Sequence, residues 1–177
     1  MSIPAASYAI DPSHSEVAFT IRHAGIAKVR GRFTEFSGTI VVAEDLASSS
    51  VNATIAASSV DTGNAQRDGH LKTADFFSVE TTPEWTFVST GVSGTADEFA
   101  LSGDLTINGI TKAVTLETEF NGAAVDAYGA ARVGFSASTE ISREDFGITW
   151  NAPLEAGGLL LGDKVKIAIE ISATKQD

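Results

Sequence analysis

Apolar and polar residues alternate along most of this chain. Val17, Phe19, Ile21 and His23 share one phase, with Glu16, Ala18, Thr20 and Arg22 between them. The same period of two runs through Val51, Ala53 and Ile55, through Phe99, Leu101, Gly103, Leu105 and Ile107, and through Val114, Leu116, Thr118 and Phe120. It returns in Val165, Ile167, Ile169 and Ile171. Strict alternation gives a strand one wet face and one dry face. Antiparallel sheets with a single buried face show this pattern, so the chain reads as all-β.

One strand changes phase. Val29, Gly31 and Phe33 share a face, and Phe36, Gly38, Ile40 and Val42 share the next, offset by one residue. A β-bulge near Thr34–Glu35 absorbs such a slip. Gly31, Gly38 and Gly103 suit positions where a strand turns a barrel corner. Asn108-Gly109 is the best hairpin turn signal, and Asn121-Gly122 is a second dipeptide of that kind. From Asn64 the pattern breaks. Helix formers predict a short helix over about Ala65–Asp75, capped by Thr62 or Asn64, with Leu71, Phe76 and Phe77 facing inward. There is no repeat or linker, so residues 1–177 form one domain. Several strands, short turns and one helix predict a closed antiparallel barrel of about eight strands. Such a barrel holds its own side chains or one small ligand. Small dry-face residues (Gly31, Gly38, Ala53, Gly103) are expected to hollow it.

Composition narrows the chemistry. The 177 residues include no cysteine, which excludes disulfides, thiolate metal sites and cysteine nucleophiles. The net charge of −11 repels phosphate backbones. It argues against nucleic acid as a partner, and against docking on anionic lipid through a polybasic patch. No apolar run approaches the roughly 20 residues of a membrane helix, so no stable membrane insertion is expected. The N-terminus shows no signal peptide, which places the chain in the cytoplasm as it stands, or in the periplasm or outside the cell if a leader has been removed.

The three histidines, His14, His23 and His70, show neither HxH nor HxxxH spacing, and no metal site is expected. His23 closes a dry face, as a hydrogen-bonded rim residue or as a ligand contact. A set such as His23 with Ser13 or Ser15 and an aspartate arises by chance in a serine-rich chain. No GxSxG, GxGxxG or P-loop accompanies it, so no catalytic residues are assigned. Arg67-Asp68 reads as an ion pair anchoring the helix, and Arg143-Glu144-Asp145-Phe146-Gly147 as a turn or bulge with local ion pairs rather than a site. Leu159-Leu160-Leu161 is equally core, tunnel lip or dimer contact.

Six segments in order carry a resemblance. They are Asp11–His23, Val29–Gly38, Asp61–Phe77, Gly103–Thr111, Ile141–Gly147 and Leu161–Val165. Together they resemble the YceI-like family of lipocalin-like, polyisoprenoid-binding proteins. The resemblance implies an elongated eight-stranded barrel with a helix near one end. It also implies an apolar tunnel for an isoprenoid chain, such as a quinone tail or a polyprenyl phosphate, and sets Phe76-Phe77 beside the bound tail. The expected function is a non-enzymatic carrier with no cofactor beyond its lipid or quinone. The expected wall is Phe19, Ile21, His23, Phe33, Phe76, Phe77, Trp85, Phe87, Leu105, Ile107 and Phe135. The competing readings are an enzyme acting on a small apolar substrate inside the barrel, and an interaction protein whose barrel is filled. A homodimer would use loops or an outer face.

Overall fold

The structure is a computed structural model that describes residues 2–177. Its strands are β1 (Ala6–Ile10), β2 (Glu16–His23), β3 (Ala27–Phe33), β4 (Phe36–Val42), β5 (Ser50–Ala56), β6 (Val60–Asp61), β7 (Glu84–Gly94), β8 (Glu98–Ile107), β9 (Ile110–Val125), β10 (Ala131–Ser142) and β11 (Leu161–Lys175). They form one antiparallel sheet that closes through β1 and β11. Three pairs act as single staves. β1 and β2 both run along β11, β3 and β4 run along β2 and β1, and β5 and β6 run along β4 and β3. With β7 to β11 this gives an eight-staved up-and-down barrel, closed through β1 and β11, in which β6 pairs with β3 alone. The 15 residues of β11 span about 50 Å, so at the usual strand tilt the barrel stands roughly 35–40 Å tall.

Local chemistry explains the breaks. Pro12 cannot donate to a ladder, and the first stave turns there through Pro12–His14. The Asp11 carboxylate accepts the Ser13 N–H at 3.0 Å and fixes this corner. The phase change falls where expected. Thr34 and Glu35 leave the strand, the Thr34 N–H donates to Ser59 O and the Ala56 N–H donates to Glu35 O. Asn108 and Gly109 have φ of 56° and 74°, which a two-residue hairpin between β8 and β9 requires. Asn121-Gly122 makes no turn: β9 runs straight through it, and the register with β10 shifts there. Gly122, at φ 130°, serves a bulge instead.

The helix α1 (Ala65–Leu71) is shorter than the pattern predicts. Asn64 is the cap, its Oδ1 accepting the Arg67 N–H at 3.0 Å. Thr62 has another role. Arg67 and Asp68 form no ion pair with each other; Arg67 Nε donates to Thr62 Oγ1 at 2.8 Å, and Asp68 Oδ1 accepts the Thr62 N–H at 3.0 Å. The helix stops at Leu71 because the chain must turn inward at once. The Phe77 N–H donates to Leu71 O, and Phe76 and Phe77 are buried. No helix among the described residues is long and apolar enough to cross a membrane.

Candidate ligand-binding cavity

The inward phase of the staves surrounds a cavity of about 370 Å³. Inward residues of a solid barrel would be fully buried. Here Phe19, Ile21, Ile55, Leu116, Val165, Ile167 and Ile169 face inward yet are only half-buried, because they border open space. The volume sits within the range of small-ligand pockets, and apolar walls with a few polar groups are what such pockets have.

Every residue expected in the wall borders this cavity: Phe19, Ile21, His23, Phe33, Phe76, Phe77, Trp85, Phe87, Leu105, Ile107 and Phe135. They do not play one role. Ile107 is 1% exposed and locked among its neighbours, whereas Ile21 and His23 are half-buried. At the end away from the helix, Tyr8, Ile40, Val42, Phe120, Val133 and Phe135 pack into a tight cluster. At the helix end, Phe33, Phe77 and Trp85 form a ring-on-ring group, Phe33–Trp85 at 4.7 Å and Phe77–Trp85 at 4.9 Å between centroids. Both contacts are edge-on, the favoured geometry for aromatic pairs. The Trp85 indole N–H inside this group has no hydrogen-bond partner among the described residues.

Phe76 sits in a second aromatic group with His70 and Trp150. His70 meets the Trp150 ring edge-on at 4.9 Å, and its Nε2 lies 2.8 Å from Asp75 Oδ2. This group joins α1 to the loop after β10 and covers part of the barrel end. Exposed Arg67 borders the cavity beside it, so the cavity reaches the surface at this rim.

Some wall residues are absent from the expected set. Leu71, Trp150, Leu160, Val165, Ile167 and Ile169 all border the cavity. The alternation of β11 was visible, so its three isoleucine and valine positions were recoverable from sequence. Arg143 was not. Its segment forms a 3-10 turn closed by Gly147 at φ 72°, and the Arg143 side chain is buried against backbone carbonyls rather than paired with Glu144 or Asp145. It is 4% exposed, and its guanidinium donates to Gly162 O, Ile148 O and Trp150 O at 2.8–2.9 Å. Carbonyl dipoles offset the cost of burying this cation. They also tie the turn after β10 to the start of β11. A charged Arg-Glu-Asp triplet reads as surface unless the fold is known.

Gly31 and Gly103 do not hollow the barrel as expected. The Phe19 ring covers Gly31 and the Phe87 ring covers Gly103, so the missing side chains are replaced by rings lying along the wall. Of the leucine run, Leu160 and Leu161 border the cavity, and Leu159 is 58% exposed.

No group of three or more His, Cys, Asp or Glu among the described residues could hold a metal ion. His14, at the far end, lies 2.7 Å from Asp11 in the clamp that fixes the first corner.

Comparison with known proteins agrees with this architecture. The YceI-like domain family model matches residues 8–173. Protein YceI of Escherichia coli O157:H7 is 44% identical over 150 residues, covering 83% of this chain and 78% of that one. Among solved structures, Burkholderia cenocepacia BcnA superposes with a TM-score of 0.82 at 23% identity, covering 93% of this chain and 99% of that one. The Campylobacter jejuni YCEI protein gives 0.75 at 30% identity, covering 89% and 91%. A polyisoprenoid binding domain from Saccharophagus degradans gives 0.72 at 18%, covering 98% and 100%. The chain belongs to the YceI-like family.

Proposed function

We propose that this protein binds a long-chain isoprenoid lipid, an isoprenoid quinone or a polyprenyl phosphate, and carries or stores it without chemical change. The observation that carries the proposal is the continuous apolar cavity, whose wall runs from Ile3, Leu46 and Val42 at one end to Leu160, Leu161 and Arg67 at the other. An apolar-lined space that reaches from one end of the barrel to the other suits a flexible hydrocarbon tail. Burial of apolar area supplies affinity, at about 0.8 kcal/mol per methylene. The polyisoprenoid binding domain of Saccharophagus degradans shares the fold and supports a lipid as the ligand class. The non-enzymatic reading draws on two of the polar wall groups. Arg143 is held by three carbonyls and His70 by Asp75, which leaves them structural tasks.

The direct experiment extracts natively purified protein with organic solvent and analyses the extract by mass spectrometry. A prenyl lipid or quinone near one per chain is expected. Extracts free of any apolar molecule, from protein that also excludes added prenyl lipid, would overturn the proposal.

A further inference from the structure

We propose that the helix-end rim, with the outer face of β2, β3 and the start of β11, docks on an anionic lipid bilayer. The net charge of −11 hides a segregated surface. Six of the chain's 12 lysines and arginines lie on β2, β3 and the first six residues of β11: Arg22, Lys28, Arg30, Arg32, Lys164 and Lys166. All six are exposed. Arg22 faces Lys28 directly in the ladder, and Thr20 lies opposite both Arg30 and Lys166. The acidic neighbours are Asp61, 3.6 Å from Arg32, Glu140, which pairs with Lys166 in register, Asp163 beside Lys164, and Glu16 and Glu170, which face each other farther from the rim. Across the barrel, β8 and β9 carry the opposite sign, with Glu98 directly opposite Glu119 and Asp104 and Glu117 on the same outer phase. A protein polarised this way turns its basic side to a negative surface despite its net charge.

The basic face ends in an apolar tip. Ile26, in the turn between β2 and β3, is 88% exposed, and Leu159 is 58% exposed. The two segments touch, since the Ala24 N–H donates to Leu160 O. Beside them Leu160, Leu161 and His23 border the cavity where it nears the surface. Exposed apolar side chains beside a row of cations are the ingredients of interfacial lipid binding: the apolar groups enter the acyl boundary and the cations meet the head groups, with Glu155 the one acidic residue in the Leu159 loop. A bilayer fits both parts together, whereas a nucleic acid would leave the apolar tip without a role. Docking here would set the cavity opening against the membrane that supplies or receives the lipid; this purpose rests on the lipid-carrier reading, but the docking does not.

The test is co-sedimentation with vesicles of phosphatidylcholine alone and of phosphatidylcholine with about a third phosphatidylglycerol. The unmodified protein is expected to sediment with the anionic vesicles only, and to be released at about 0.5 M salt, where screening is strong. Each cation near an anionic surface changes partitioning roughly fivefold, so K28E/R30E should weaken it by more than about tenfold. I26S/L159S should weaken it too, and E117Q/E119Q should not. A fluorescent polyprenyl probe, titrated without vesicles, should bind all variants as it binds the unmodified protein. Partitioning that is absent, or equal on neutral vesicles, overturns the docking surface. So does partitioning unchanged in K28E/R30E, or a basic face engaged by the Glu117–Glu119 face of a second copy, seen as self-association lost in both charge variants. Vesicle docking by a protein that takes up no probe would leave the surface standing and remove the lipid-carrier reading instead.

Discussion

The Phe19 ring on β2 lies over Gly31, its direct partner on β3. A β-carbon at Gly31 would come 2.7 Å from Phe19 Cε1 and closer still to Cζ. The glycine gives the ring a flat seat against the wall, and the ring covers backbone that glycine leaves bare. The lumen stays open because the ring lies along the wall rather than across it.

Gly31→Ala should therefore drive Phe19 off its seat. Overpacking of this kind costs about 1–3 kcal/mol. In a Phe19→Ala background the same change should be nearly free, giving a coupling of at least about 1 kcal/mol between contacting positions. Chemical denaturation of the four proteins measures it. Additive effects would show that the ring and the glycine are independent.

A tunnel blocker must enter the lumen without disturbing the wall. Ile107, though on the inward phase, is 1% exposed, so Ile107→Trp should overpack the core and destabilise the fold by a few kcal/mol. Ile167 also faces inward, opposite Phe19 and Thr139, but is half-buried beside open space. Ile167→Trp should keep the melting temperature within a few degrees, equivalent to about 1 kcal/mol. It should weaken prenyl-probe binding at least about tenfold, a loss of some 1.4 kcal/mol. Unchanged probe affinity in a folded I167W protein would remove Ile167 from the ligand path.

Phe76 and Phe77 are adjacent in sequence but answer to different neighbours. Phe77 packs against Trp85 and Phe33 in the core group, and Phe76 against His70 and Trp150 at the rim. Phe77→Ala should cost about 3–5 kcal/mol, as core phenylalanines do. Phe76→Ala should cost less, and its loss should appear mainly as faster probe release. Thermal melts and dissociation rates separate the two. Equal destabilisation with unchanged release would make both residues structural only.

Acid should loosen the end away from the helix. Hydrogen bonds from Ser13, His14 and Arg132 hold the Asp11 carboxyl well below the usual carboxylate range. Arg132 Nη1 reaches Asp11 at 2.8 Å while its Nε reaches Asp126 at 2.7 Å. A depressed folded-state pKa adds stability above the unfolded value near 4, and that stability is lost as pH falls through the folded value. Asp11→Asn should thus lower the melting temperature at pH 7, and its deficit against the unmodified protein should shrink below about pH 4. A deficit that does not change with pH would locate the effect in packing rather than charge.

What was legible in the sequence was whatever repeats locally. Alternation exposed the inward set on β2, β8, β9 and β11, and the offset between Phe33 and Phe36 exposed the kink. Arg143 was hidden because its partners, Gly162 and Trp150, are known only once the loop after β10 folds back. The Asp11–Arg132 bond joins positions 121 apart, and no local pattern carries that separation. Asn121-Gly122 misled because positive φ serves a bulge as well as a turn. The six cations were visible one by one, but their gathering on one face needed the register of β2, β3 and β11.

The central claim is that the barrel holds an isoprenoid tail by burying it. A series of prenyl lipids sharing one head group and differing in the number of isoprene units tests it most directly, by titration against the unmodified protein. Each added unit buries about five carbons, so affinity should rise at least about tenfold per unit until the cavity is full, and then level off. The levelling should come earlier in I167W. Affinity independent of tail length would show that the head group alone is recognised, and would contradict the account.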